Sequence, residues 1–108
     1  MPRWLPWVLT RIRRLAAQRR ILFTHKALRE LSALELGLDE DDVCDVLMRL
    51  GGRDSGGRVA STRTGEWMYV FKPRVAATRV YVKVVLRADC VVVSFHEESA
   101  GSEGEQNG

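Results

Sequence analysis

Residues 79–96 read RVYVKVVLRADCVVVSFH. Seven of these eighteen residues are valine, a side chain stiff at χ1 that packs well on a pleated surface and poorly in a helix. The run is interrupted only at Ala88–Asp89. It therefore predicts two strands joined by a tight turn, antiparallel because the connection is too short for a crossover. Side chains alternate across a strand. Val80, Val82, Val84 and Leu86 then share one face of the first strand, and Arg79, Tyr81, Lys83 and Arg87 the other. In the second strand strict alternation sets Val91, Val93 and Phe95 against Val92, Ser94 and His96.

What precedes this pair must cover its apolar face. WVLTRIRRLAAQRR places Val8, Ile12, Leu15 and Ala16 at helical spacing, with Leu5 one turn earlier, and predicts an amphipathic basic helix over 5–20. Thr24 suits the N-cap of a second helix, HKALRELSAL. Asp39 suits the N-cap of a third, whose first-turn acids interact favourably with the helix dipole and which stops at Gly51 or Gly52. GGRDSGG reads as a turn region, RVASTR as a weak strand, and GEWMYVFKP as a stronger strand ended by Pro73. In that strand Trp67, Tyr69 and Phe71 oppose Met68, Val70 and Lys72, and the three aromatics are expected in the core. Helices first and a mostly antiparallel sheet afterwards give an α+β class. With 108 residues and 45% apolar content, the expectation is one domain over 1–97 and a disordered acidic tail over 98–108.

The net charge of +3 conceals a block pattern. Residues 1–26 hold seven basic residues and no acid, and residues 58–96 hold seven basic residues and two acids. An acidic segment, with eight acids in 27–57, lies between them. Two basic blocks point to an anionic partner, with nucleic acid first. The acids of 39–42 are consecutive, which is not calcium-ligand spacing. Cys44 and Cys90 are far apart and in apolar surroundings, so free buried thiols and a cytoplasmic setting are expected. No metal-ligand spacing is present and no cofactor is implied. No apolar run is long enough to span a membrane, and no membrane partner is expected.

The open face of the sheet is expected to gather Tyr81, Lys83, Arg87 and His96. Cations suit phosphate, and a histidine titrating near neutrality can move protons. Those parts suffice for RNA cleavage in which the ribose 2′-OH attacks its own phosphate. A solvated sheet face of ordinary surface charges has the same composition.

WMYVFKPRVAATRVYVKVVLRADCVVVSFH, together with the earlier LGLDEDDVCDVLMRL, resembles the MqsR (motility quorum-sensing regulator) family over about residues 20–97. The ordered set comprises a GLD…D…C helix, a tryptophan strand ended by proline, VY.K and VVSF.E. The resemblance implies a RelE-like fold and a sequence-preferring, metal-independent mRNA interferase toxin neutralised by a cognate antitoxin protein. A homodimer and a hetero-oligomer with the antitoxin are both open. The family's catalytic tyrosine falls on Tyr81. The lysine after the family's VSF is His96 here, and the glutamine after the tryptophan is Met68. The family's lysine beyond the third helix falls in DSGGRVAS, where Arg58 is the nearest cation and Arg63 the second. The resemblance thus implies Tyr81 as base or 2′-OH orienter, His96 as acid, and Arg58 and Lys83 as charge stabilisers. Arg63, Met68, Lys72, Arg79 and Arg87 complete the RNA-binding candidates. A non-catalytic RNA-binding protein on the same fold is the alternative.

Overall fold

The computed structural model describes residues 2–98. The elements run α1 (Leu5–Ala17), β1 (Ile21–Phe23), α2 (His25–Ala33), α3 (Glu40–Met48), a 3-10 turn (Gly52–Asp54), β2 (Ser55–Ala60), β3 (Trp67–Phe71), β4 (Arg74–Val75), β5 (Thr78–Leu86) and β6 (Cys90–Glu97). The class is α+β, consistent with a RelE-like arrangement. The strand order is β1-β6-β5-β3-β2, with β4 pairing on β5. Only β1, against β6, is parallel.

Helix starts follow local chemistry. The Thr24 hydroxyl accepts from the Ala27 N–H at 3.1 Å. Asp39 and Asp42 exchange side-chain and backbone bonds at 2.8 Å each, which satisfies donors that the first turn of α3 leaves open. α1 stops at Ala17, three residues short of the expected end, where Arg19 enters the left-handed region at φ 58°. The glycine-rich stretch is more ordered than a turn region. Its second half is β2, with an irregularity between Ser55 and Arg58 where Gly57 takes φ 91°.

One core joins Leu5, Val8, Ile12 and Leu15 of α1, Val43 and Leu47 of α3, and the inward sheet residues Tyr69, Phe71, Val80, Val82, Val84, Val92 and Phe95. Cys44 and Cys90 are buried free thiols. Burial pushes the Cys90 thiol up to about 12. Trp67 corrects the expectation of a core aromatic, since it lies on this side of the sheet but 44% exposed at its margin. Of the tail expected to be disordered, only Glu98 is described. Its N–H donates to the Arg79 carbonyl at 2.8 Å and its carboxylate pairs with Lys72 at 3.4 Å. Residues 99–108 lie outside the described residues.

β1 is three residues long and β6 is eight. Pairing covers β6 only as far as Val92, opposite Phe23. Beyond that point the outer edge of β6 is finished by α2. Thr24 donates its hydroxyl to the Val93 carbonyl at 3.3 Å, and the Glu30 carboxylate accepts the Phe95 N–H at 2.9 Å. An unpaired backbone donor at a sheet edge needs such a partner. The first turns of α2 are thereby held beside the open face of the sheet.

Candidate active site

Strict alternation fails in β6. Register runs Lys83↔Ser94 and then Val84↔Val92, so Val93 is an extra residue in a bulge. Before it, Cys90 and Val92 face the core. After it, Phe95 faces the core, and Ser94 and His96 turn to the open face. Grouping Phe95 with Val91 and Val93 is therefore corrected. The bulge flips the parity, and Val91 and Val93 line the open side.

On that side is a groove of about 830 Å³. Its floor is Met68, Tyr81, Lys83, Ser94 and His96. One wall is the end of β2 and the start of the β2–β3 connection, Val59 to Arg63, and the other is Lys26 and Glu30 of α2. The connection is folded on Ser61, whose hydroxyl accepts the N–H groups of Arg63 and Thr64 at 3.3 and 3.2 Å. A smaller depression of about 220 Å³ adjoins it through Ser61, Arg63 and Met68, with Val85, Val91 and Val93 as apolar lining.

Tyr81 and His96 are directly paired across β5 and β6. Their rings stack with centroids 4.9 Å apart and 14° between planes. His96 Nδ1 is 3.0 Å from the Glu97 carbonyl oxygen. A carbonyl only accepts, so in that bond the proton belongs to Nδ1. Lys83 follows Tyr81 on the same face, opposite Ser94. Lys26 Nζ donates to the Ser94 hydroxyl at 2.8 Å and pairs with Glu30 at 2.9 Å. Ser94 is almost fully buried, at 1% exposure, and this bond is what its hydroxyl finds there. The groove lining contains Lys26, Arg63, Lys83 and His96 against one carboxylate, Glu30.

The structure therefore brings together Tyr81, His96, Lys83, Met68 and Arg63. It does not bring Arg58 to them. Arg58 pairs with Tyr69 in register and faces the helix side. There its guanidinium lies 3.8 Å from the Trp67 ring centroid and 5.1 Å from that of Trp4. The arginine that the sequence offers as a charge stabiliser is thus placed across the sheet from Tyr81 and His96. The remaining basic candidates are outside the main groove. Arg87 grips Glu66 with two bonds of 2.9 and 2.7 Å, which hold the Glu66 carboxyl down at about 2. Arg79 donates to the Lys72 carbonyl at 2.9 Å, and Lys72 pairs with Glu98.

Lys26 and Glu30 were missed in the sequence because α2 reads as an ordinary amphipathic helix. The signal was the shortness of ILFT, which leaves β6 an edge that the next element must cover. Among the described residues, no group of three or more His, Cys, Asp or Glu could hold a metal ion. No helix among them is long and apolar enough to cross a membrane.

Fold and site define a class: a small α+β protein whose antiparallel sheet carries helices on one face and a cationic groove with a Tyr–His pair on the other. A family model described as "Motility quorum-sensing regulator, toxin of MqsA" matches residues 6–97. The chain is also 32% identical over 91 residues to the mRNA interferase toxin MqsR of Escherichia coli (strain K12), spanning 83% of this chain and 91% of that protein. The chain belongs to the MqsR toxin family.

Proposed function

We propose that this chain is the toxin of a toxin–antitoxin pair and an mRNA interferase, acting in the cytoplasm and restrained by a cognate antitoxin protein. Family membership and the similarity to an mRNA interferase support the class of reaction. The observation that carries the mechanism is the stacked Tyr81–His96 pair on the floor of a cationic groove. In this reading Tyr81 orients or deprotonates the 2′-OH. The 2′-oxygen attacks the adjacent phosphorus, the P–O5′ bond breaks, and His96 supplies the proton to the leaving 5′-oxygen. The products are a 2′,3′-cyclic phosphate and a free 5′-OH. Lys83 and Arg63 offset charge on the phosphoryl oxygens. No metal ion takes part in this scheme. Arg58 has no place in it, being across the sheet.

The test is cleavage of a defined RNA by antitoxin-free protein in EDTA. Cyclic phosphate ends are expected, with the rate falling at least about 100-fold in Tyr81→Phe and in His96→Ala, the scale of a lost general acid or base. Cleavage that requires added divalent metal would refute the scheme. Met68, where the family has glutamine, favours one second reading, a non-catalytic RNA binder. RNA binding by the folded protein without products would establish that reading instead.

A further inference from the structure

We propose that Lys26 is a phosphate-binding cation of this groove, set in place by Glu30 and Ser94. The proposal rests on the RNA-cleaving reading above for its ligand, a single-stranded RNA backbone. It goes beyond that reading by adding an element, α2, that contributes nothing else to the site's chemistry.

Three observations converge. Lys26 is on the first turn of α2, where α2 finishes the β6 edge, and it lines the groove. Its ammonium is 2.8 Å from the Ser94 hydroxyl. Ser94 is the cross-strand neighbour of Lys83 and two residues before His96. Two lysines, one on α2 and one on β5, therefore line the groove at the same buried serine, one bonded to it and one paired with it in register. Glu30 pairs with Lys26, and no ion pair joins Lys83 to a carboxylate among the described residues. An anion in the groove would gain from both lysines. A phosphate is such an anion, and it would sit beside the Tyr81–His96 stack.

The geometry also explains why Lys26 is held instead of waving. An ammonium has three N–H donors. Two are directed at Ser94 Oγ and Glu30 Oε2. Glu30 is itself fixed by the Phe95 N–H at 2.9 Å. The third donor remains for a ligand. Because the Lys26 side chain is about half exposed, the ion pair itself adds little to stability, and the structural role of Lys26 is confined to its bond with the buried Ser94 hydroxyl.

The experiment measures binding of a 2′-O-methyl RNA oligonucleotide, which lacks the attacking hydroxyl, across a salt series, with thermal melts alongside. Lys26→Gln is expected to bind several-fold more weakly at low salt, with the log–log salt slope reduced by about 0.7, one single-strand phosphate contact. Lys26→Arg is expected to restore both, and Lys26→Gln is expected to melt cooperatively, with its midpoint lowered only by the weakened bond to Ser94. Wild-type affinity and slope in Lys26→Gln would overturn the proposal, as would failure of the wild-type protein to bind the oligonucleotide. If the wild type binds with the expected Lys26 dependence but cleaves no unmodified RNA, the proposal stands and the catalytic reading falls.

Discussion

The helix-covered and open faces of the sheet are built from alternate residues of the same strands, yet they treat charge in opposite ways. On the covered face the cation Arg58 is held over aromatic rings, its guanidinium 3.8 Å from the Trp67 centroid and 5.1 Å from that of Trp4. On the open face Lys26, Arg63 and Lys83 are gathered round a groove with a single carboxylate. The two basic blocks of the sequence do not predict this division. Much of the first block is consumed internally: Arg11 and Arg13 donate to the Arg87 and Leu50 carbonyls, Arg20 pairs with Asp89, and Arg19 pairs with Asp41 and Asp45. Charge written in a sequence and charge offered to a ligand are different quantities, and edge chemistry decides between them.

The sharpest test of the division exchanges stability for activity across adjacent residues. Phe95 is fully buried and His96 faces the groove. Phe95→Ala is expected to cost about 3–5 kcal/mol in urea unfolding, because it opens a cavity in a close-packed core. Tyr81→Phe is expected to leave the urea midpoint near wild type while removing cleavage. A destabilised Tyr81→Phe with proportionate loss of activity would mean that the open face is structural as well.

Arg58 gives a smaller effect of the opposite kind. Arg58→Met keeps most of the packing and deletes the charge over the rings. A loss of about 0.5–1 kcal/mol is expected, the scale of a cation–π contact at an exposed site. Cleavage rate and RNA affinity are expected to be unchanged. Abolished cleavage in a stable Arg58→Met protein would return Arg58 to the site and break the comparison.

The order of elements was readable from the sequence because each rests on local chemistry. Thr24 and Asp39 announce helix starts, Pro73 ends β3, and valine alternation marks β5 and β6. Three features were not readable. The bulge at Val93 leaves no trace in a run of three valines, any of which could be the extra residue, so the facing of Val91, Val92 and Val93 relative to Phe95 and His96 came out reversed. Arg58 was judged by closeness in sequence, whereas the irregularity after Ser55 sets which side of the sheet it takes. The β4–β5 turn contains no Asn-Gly or Asp-Gly signal. Ala76 and Ala77 both adopt positive φ, 51° and 66°, imposed by the pairing of Val75 with Thr78. In the site, Tyr81, Lys83 and His96 follow from strand parity and pairing. Lys26 depends on a tertiary fact, the helix that closes an unfinished edge.

The smallest expected effect concerns Arg87, a basic residue on the open-face parity that is committed to a carboxylate. Its two bonds hold Glu66 at about 2, below the ordinary 4.5. A depressed folded-state value means the pair's contribution is present above about 4.5 and is lost as pH falls towards about 2. Arg87→Gln should therefore unfold at slightly lower urea than wild type at pH 6, and the gap should close as the pH is lowered through that window. Because Arg87 spends two guanidinium bonds on Glu66 and lies outside the main groove, its replacement should change the RNA salt slope less than Lys26→Gln does. Equal slope changes in the two variants would show that Glu66 releases Arg87 to the RNA. The open face would then extend past Met68 into the smaller depression, and a place in the main groove would no longer separate idle cations from working ones.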